Sequence, residues 1–179
     1  MKRRDLLRAA GAATALSLLP RDAEAAWARV LEGYQTAEGL TPPQRALVSG
    51  IADVIFPRND TPGATDVGVT DWVNLIVAEY DSPTDRTAFV TGLDAIDAQV
   101  RSSRGRAFAN LDADAQRAAV ASLDASADRS TPEARAYTRL KSLVVYGYFT
   151  SERVQQDVLH TRTYFDRFQG AADMPARRS

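Results

Sequence analysis

From residue 41 onward, apolar positions recur at helical spacing and are cut into blocks by proline, glycine and capping residues. Thr41-Pro42-Pro43 opens the first block, with Thr41 as N-cap and Pro42 at the first helical position. Leu47, Val48, Ile51, Val54 and Ile55 form one buried stripe, and Pro57 ends it. The stretch from Phe56 to Ala64 holds Pro57, Pro62 and Gly63 and predicts an irregular connector. Thr70 then reads as the cap of a helix carrying Trp72, Val73, Leu75, Ile76, Val77 and Tyr80, apolar nearly all round and so the most buried. Ser82-Pro83-Thr84-Asp85 starts another, with Phe89, Leu93, Ile96 and Val100 as a narrow stripe before Gly105. Asp112 opens a shorter Ala-rich helix that buries Val120 and Leu123. Thr131-Pro132-Glu133 begins the last long helix, along which Tyr137, Leu140, Leu143, Val144 and Tyr148 align. Val144 to Phe149 resembles a strand locally but continues that helical stripe. Ser151 reads as the cap of a final helix with Val154, Val158 and Leu159. The pattern predicts a single small all-α domain of about five to six helices, without internal repeats.

The first 25 residues follow a different rule. A basic start (Lys2, Arg3, Arg4) leads into an apolar run from Ala9 to Leu19, and Ala23-Glu24-Ala25 supplies a small-x-small site. That sequence of features predicts a secretory signal cleaved after Ala25. The apolar run is on the order of ten residues, where a bilayer-spanning helix needs about twenty, so it would make a poor permanent anchor. Arg3-Arg4-x-Leu6-Leu7-Arg8 resembles the twin-arginine pattern, although Lys2 stands where Ser or Thr is commoner. The resemblance implies export of an already folded protein to the periplasm, in solution there or held at the membrane through a partner. The expected organisation is residues 1–25 as signal, 26–170 as helical domain and 171–179 as a loose polar tail.

Composition narrows the chemistry. A body of this length buries roughly 68–70% of its unfolded surface and needs no covalent staple. With no Cys in the chain, disulfides, thiolate-held iron–sulfur centres and Cys-attached haem are excluded. The formal charge is −1 for the whole chain at pH 7. Residues 1–25 carry two more basic than acidic side chains, so the mature part is slightly more negative, and the signs are interspersed. Nucleic acid, which needs clustered Lys and Arg, is thereby disfavoured. His160 is the single histidine, near a helix end, and reads as a surface or interface residue. Neither a Gly-x-Ser-x-Gly elbow nor a Gly-rich phosphate loop occurs. Asp112 and Asp114 read as N-terminal helix residues, since the glycine and distal Glu of a calcium loop are missing. The pairs Asp94/Asp97 and Asp124/Asp128 fall at helical spacing but read as solvated faces rather than acid–base pairs. These readings leave no catalytic, cofactor-binding or metal-ligating residue to name.

Aromatic side chains crowd the last third of the chain: Tyr146, Tyr148, Phe149, Tyr164, Phe165 and Phe168, with Arg162 and Arg167 among the last three. Core packing accounts for some of them. Tyr, Phe and Arg are also favoured in the buried centre of a protein interface, which makes this group, with Phe56 and Arg58 of the connector, the candidate partner surface. The connector itself reads equally as a rigid link that packs Phe56 or as part of the docking surface.

Two stretches resemble the gluconate 2-dehydrogenase subunit 3 family. One runs from Ile51-Ala52-Asp53-Val54-Ile55-Phe56-Pro57-Arg58-Asn59-Asp60-Thr61-Pro62-Gly63-Ala64 to Asp66, Gly68 and Val69; the other is Leu140-Lys141-Ser142-Leu143 through Tyr146-Gly147-Tyr148-Phe149-Thr150-Ser151-Glu152. With the intervening helices the resemblance spans residues 41–170, and it thins after Glu152. It implies a non-catalytic small subunit of a large flavoprotein dehydrogenase of the glucose–methanol–choline type, which oxidises sugars, sugar acids or glycosides in the periplasm. On that resemblance FAD belongs to the partner subunit and none to this chain. Such complexes usually pass electrons to a cytochrome c, so a haem c subunit is a further candidate partner, and the twin-arginine translocase a transient one. The small subunit then serves as export escort for a partner that lacks its own signal. The competing readings are a free-standing periplasmic helical binding module and, more remotely, an enzyme using carboxylates or Tyr alone.

Overall fold

A computed structural model describes residues 23–33, 39–126 and 128–160 of the chain. Among them run seven α-helices: α1 (Ala23–Leu31), α2 (Pro42–Ile55), α3 (Val69–Glu79), α4 (Pro83–Arg104), α5 (Ala113–Asp124), α6 (Pro132–Thr150) and α7 (Glu152–Asp157). Single 3₁₀ turns at Thr65–Val67 and Phe108–Asn110 sit in two of the connections. The described residues contain no strand, and none of their helices is long and apolar enough to cross a membrane.

Several helix starts are made by the residues whose chemistry favours them. The side chains of Ser82, Asp112 and Thr131 accept hydrogen bonds from the backbone N–H of Asp85, Ala115 and Ala134, each satisfying a donor that the helix itself cannot. At α2 the Gln44 side chain reaches back to accept from the Thr41 N–H at 3.0 Å. The start of α3 departs from the pattern reading. Its N-cap is Gly68 rather than Thr70, because the chain leaves the 3₁₀ turn through a left-handed residue, φ 77°, which glycine adopts without a Cβ clash. Thr70 falls inside α3, and its hydroxyl is buried without a hydrogen-bond partner.

Helix α3 lies at the centre, with Trp72, Val73, Leu75, Ile76 and Val77 all buried. Helices α4 and α6 form the most extensive pair. Their close approach depends on Gly92, where a Cβ would come within 2.7 Å of the Pro132 carbonyl oxygen and also strike Ala136. Phe89, Leu93, Ile96 and Val100 of α4 and Tyr137, Leu140, Leu143, Val144 and Tyr148 of α6 fill the core as their spacing predicts, and Val120 and Leu123 add α5. At the turn between α3 and α4, Asp81 pairs with Arg139 of α6, whose guanidinium carbon lies 5.9 Å from the centre of the Phe89 ring. The Asp81 side chain is only 3% exposed. Burial pushes its carboxyl above the ordinary 3.8, with Arg139 pulling the other way.

Two features lie outside the sequence pattern. Helix α1 was hidden in the Ala-rich end of the stretch expected to be an export signal, yet Ala26 and Trp27 belong to the core. The last helix is shorter than its apolar spacing suggested: α7 ends at Asp157, Val154 is buried, and Leu159 is exposed beyond it. Ser151 precedes α7, but its hydroxyl donates to the Tyr148 carbonyl at 2.8 Å and so closes the end of α6.

Candidate partner interface

The connector from Phe56 to Ala64 is an ordered loop that closes on itself. Ala64 N–H donates to the Phe56 carbonyl at 2.9 Å, so the two ends of the loop are joined. Between them, Thr61 N–H donates to the Asn59 side chain at 3.0 Å, and Asn59 N–H to the Thr61 carbonyl at 3.1 Å. Asp66 anchors one side, accepting from Gly63 N–H at 2.9 Å and pairing with Arg58. Asp53 anchors the other, accepting from the Thr65 hydroxyl at 2.8 Å and its N–H at 3.1 Å. Gly63 keeps the turn tight: a Cβ there would meet Arg58 N at 3.0 Å and the Phe56 oxygen at 3.3 Å, closer than ordinary van der Waals contact. A loop whose turn groups are satisfied in this way is a rigid connector, which is one of the two readings the sequence left open. Its outer edge, Pro57 to Asp60, is exposed.

The C-terminal half of α6 fastens this loop to the body. Phe56 stacks on Tyr148 with ring centres 4.0 Å apart and planes 5° from parallel, and Phe149 meets both rings edge-on at 5.6 and 5.5 Å. Such offset and edge-to-face pairs are worth about 0.5–1.5 kcal/mol beyond the area they bury. The Tyr148 hydroxyl donates to the Pro62 carbonyl at 2.8 Å, fixing the far side of the loop. Tyr148 is buried, whereas Phe56 and Phe149 are half-buried and reach the surface beside the exposed Arg58. Arg153 of α7 adds a link to the Asp66 carbonyl at 3.4 Å.

Of the candidate interface residues, Phe56, Arg58, Tyr148 and Phe149 therefore come together. Tyr146 does not. Two positions along a helix are about 200° apart around its axis, so Tyr146 faces away from Tyr148 and lies 5.8 Å from Trp72. Trp72 also stacks with Trp27 of α1 at 6.0 Å. Gly147 permits this contact, since a Cβ there would approach the Trp72 ring to 2.7 Å. Tyr164, Phe165 and Phe168 lie outside the described residues, as do Arg3, Arg4, Leu6 and Leu7 of the expected export signal. Ala23 and Ala25 fall in the first turn of α1.

The carboxylates paired by sequence spacing have separate partners. Asp94 accepts from Gln44 at 2.8 Å, while Asp97 holds Arg101 at 2.7 Å and the Phe108 N–H at 2.9 Å. Asp124 takes Lys141 at 2.5 Å, and Asp128 accepts from the Ser130 N–H at 2.8 Å and its hydroxyl at 2.6 Å, which lowers its carboxyl from 3.8. Burial, reinforced by nearby Asp124, raises the Tyr137 hydroxyl and keeps it protonated. His160 is exposed, with Nδ1 3.3 Å from the Gln156 carbonyl. Among the described residues no three His, Asp or Glu side chains form a group that could hold a metal ion.

Sequence reasoning missed the residues that hold the loop from beneath. Asp53, Thr65 and Asp66 lie in or next to the distinctive stretch, and acidic residues around a Pro/Gly turn are a signal for such anchoring. Trp27 and Thr150 were missed because their contact joins residues far apart in the chain. A sequence model for gluconate 2-dehydrogenase subunit 3 matches residues 42–164. No curated protein and no solved structure gives a significant match.

Proposed function

Because the chain belongs to the gluconate 2-dehydrogenase subunit 3 family, we propose that it is the non-catalytic small subunit of a periplasmic, FAD-dependent dehydrogenase of the glucose–methanol–choline type. Its substrate class is sugars, sugar acids or glycosides, and its work is to stabilise the flavoprotein and escort it through twin-arginine export. The observation that carries this reading is the extent of the family match. It begins at the first residue of α2 and continues beyond α7, taking in both the Phe56–Ala64 loop and the aromatic end of α6.

The loop and α6 support a docking role for this end of the molecule. Phe56, Phe149 and Arg58 combine half-buried rings with an exposed guanidinium on a backbone already held rigid, so little conformational entropy remains to be lost on binding. The Arg3-Arg4 pair supports the export role, because a pathway for folded proteins suits a partner that acquires its flavin before crossing the membrane. The test is to recover the chain, tagged after Ser179, from its native periplasm and to record the visible spectrum of the eluate. The expected result is a large co-eluting polypeptide with flavin absorbance, and haem bands if a cytochrome subunit is present. Arg3→Lys/Arg4→Lys is expected to stop export of both polypeptides. A colourless, lone and soluble chain would overturn the subunit reading in favour of a free-standing module.

A further inference from the structure

The residues on either side of the Ala25–Ala26 bond are held in folded structure. Ala23 and Ala25 lie within the first turn of α1, and Ala26 is completely buried. Trp27 follows and is pinned from several sides. It stacks on Trp72 at 6.0 Å and donates from Nε1 to Thr150 Oγ1 at 3.0 Å. Its ring also covers Gly68, where a Cβ would meet it at 3.5 Å. Further along α1, Arg29 pairs with Glu79 at 3.5 Å, so the helix is fastened to α3 and α6 along its length.

A peptidase holds its substrate as an extended strand whose backbone groups pair with the enzyme. A helical turn engages those same groups internally, and the buried Ala26 is out of reach. We propose that docking of α1 shelters the Ala25–Ala26 bond, so that the folded protein releases its export segment only through an open state in which Trp27 has left Trp72 and Thr150. This inference rests on the export reading above. The cleavage is a hydrolysis: water adds across the Ala25–Ala26 amide, leaving a carboxylate on Ala25 and an α-ammonium on Ala26. When opening and closing are fast relative to cutting, the rate follows the population of the open state. Loosening the dock therefore speeds processing by the same factor.

The experiment exposes the full-length folded chain to bacterial signal peptidase in detergent micelles, with mass spectrometry of the products. A synthetic peptide of residues 1–35, which keeps the whole signal but none of the body that α1 docks on, serves as the unsheltered reference. The peptide is expected to be cut at Ala25–Ala26 more than about ten-fold faster than the folded chain. Thr150→Val removes the acceptor for Trp27 at a site remote in sequence from the cut bond and should raise the folded-chain rate about five-fold. Thr150→Ser, which keeps the hydroxyl, should restore the slow rate and shows that loss of the fold is not the cause. Equal rates for chain and peptide, or a Thr150→Val rate no faster than wild type, would overturn the shelter. If neither chain nor peptide is cut at that bond, Ala25–Ala26 is not the cleavage site and the proposal falls, whereas the export reading stands or falls on Arg3→Lys/Arg4→Lys.

Discussion

The two halves of α6 are built for different tasks. The N-terminal half is packed for the fold: Ala136 and the Pro132 carbonyl crowd Gly92 of α4, and Tyr137, Leu140, Leu143 and Val144 are buried in one continuous core. The C-terminal half gathers separate pieces of chain. Tyr148 and Phe149 hold the Phe56–Ala64 loop on one side, while Tyr146, Gly147 and Thr150 receive Trp72 and α1 on the other. One helix thus runs from a region where shape alone matters to one where aromatic rings and single hydrogen bonds hold attachments in place. Changes in the first half are expected to act on stability, and changes in the second on what the molecule binds or how it is processed.

The largest expected effect breaks the first half. Leu140→Ala leaves a cavity at a fully buried position and should cost about 3 kcal/mol of stability. Urea unfolding followed by circular dichroism measures this, and the fraction that stays folded should still bind its partner. Next comes Phe56→Ala, which removes the stacked ring under the loop and should cost about 2 kcal/mol because that ring is only half-buried. Unlike Leu140→Ala, it should also weaken partner affinity by at least about ten-fold, as loss of an interface anchor does. Calorimetry against the purified flavoprotein separates the two outcomes. Tyr148→Phe keeps the stack but leaves the Pro62 carbonyl unpaired, and about 1 kcal/mol should be lost, with faster hydrogen exchange confined to the loop.

The smallest effect returns to the first half and concerns pH. Burial raises the Asp81 carboxyl above 3.8 despite Arg139, so ionising it opposes folding. The stability linked to this group is complete below about pH 3.8 and is lost as pH rises through the raised value. Wild-type stability minus that of Asp81→Asn should accordingly fall with rising pH across that window, opposite in sign to ordinary acid unfolding. A difference that rises with pH would show that the Arg139 attraction outweighs desolvation.

How much of this was legible in the sequence follows from how local each feature is. The caps at Ser82, Asp112 and Thr131 and the apolar stripes of α4 and α6 are set by neighbours within a turn or two, and they read directly. The start of α3 did not, because Gly68 acts through a left-handed backbone that its own 3₁₀ turn imposes, while Thr70 offered a stronger capping signal. In the sequence, the α1 residues continue the Ala-rich stretch expected to be an export signal, and the contacts of Trp27 with Trp72 and Thr150 reveal that they belong to the body. The aromatic group at the end of α6 read as one cluster, although Tyr146 and Tyr148 fall about 200° apart around the helix and meet different neighbours, Trp72 and Phe56. Spacing of about 100° per residue separates Tyr146 from Tyr148 but leaves Phe149 about 60° from Tyr146, so its place against Phe56 and Tyr148 follows only from the folded contacts. The loop, by contrast, could be singled out but not explained, since its anchors Asp53 and Asp66 act across the turn.

On the proposed function, the loop and the adjoining end of α6 form the docking surface for a flavoprotein. The most direct test is the double variant Arg58→Ala/Phe149→Ala, which alters one exposed and one half-buried side chain, compared with wild type for the ratio of bound flavin to chain after co-purification from the periplasm. The expected variant is helical and exported, and its eluate has lost most of its flavin absorbance and the large polypeptide with it. An unchanged flavin ratio would contradict this placement and move the interface elsewhere on the molecule.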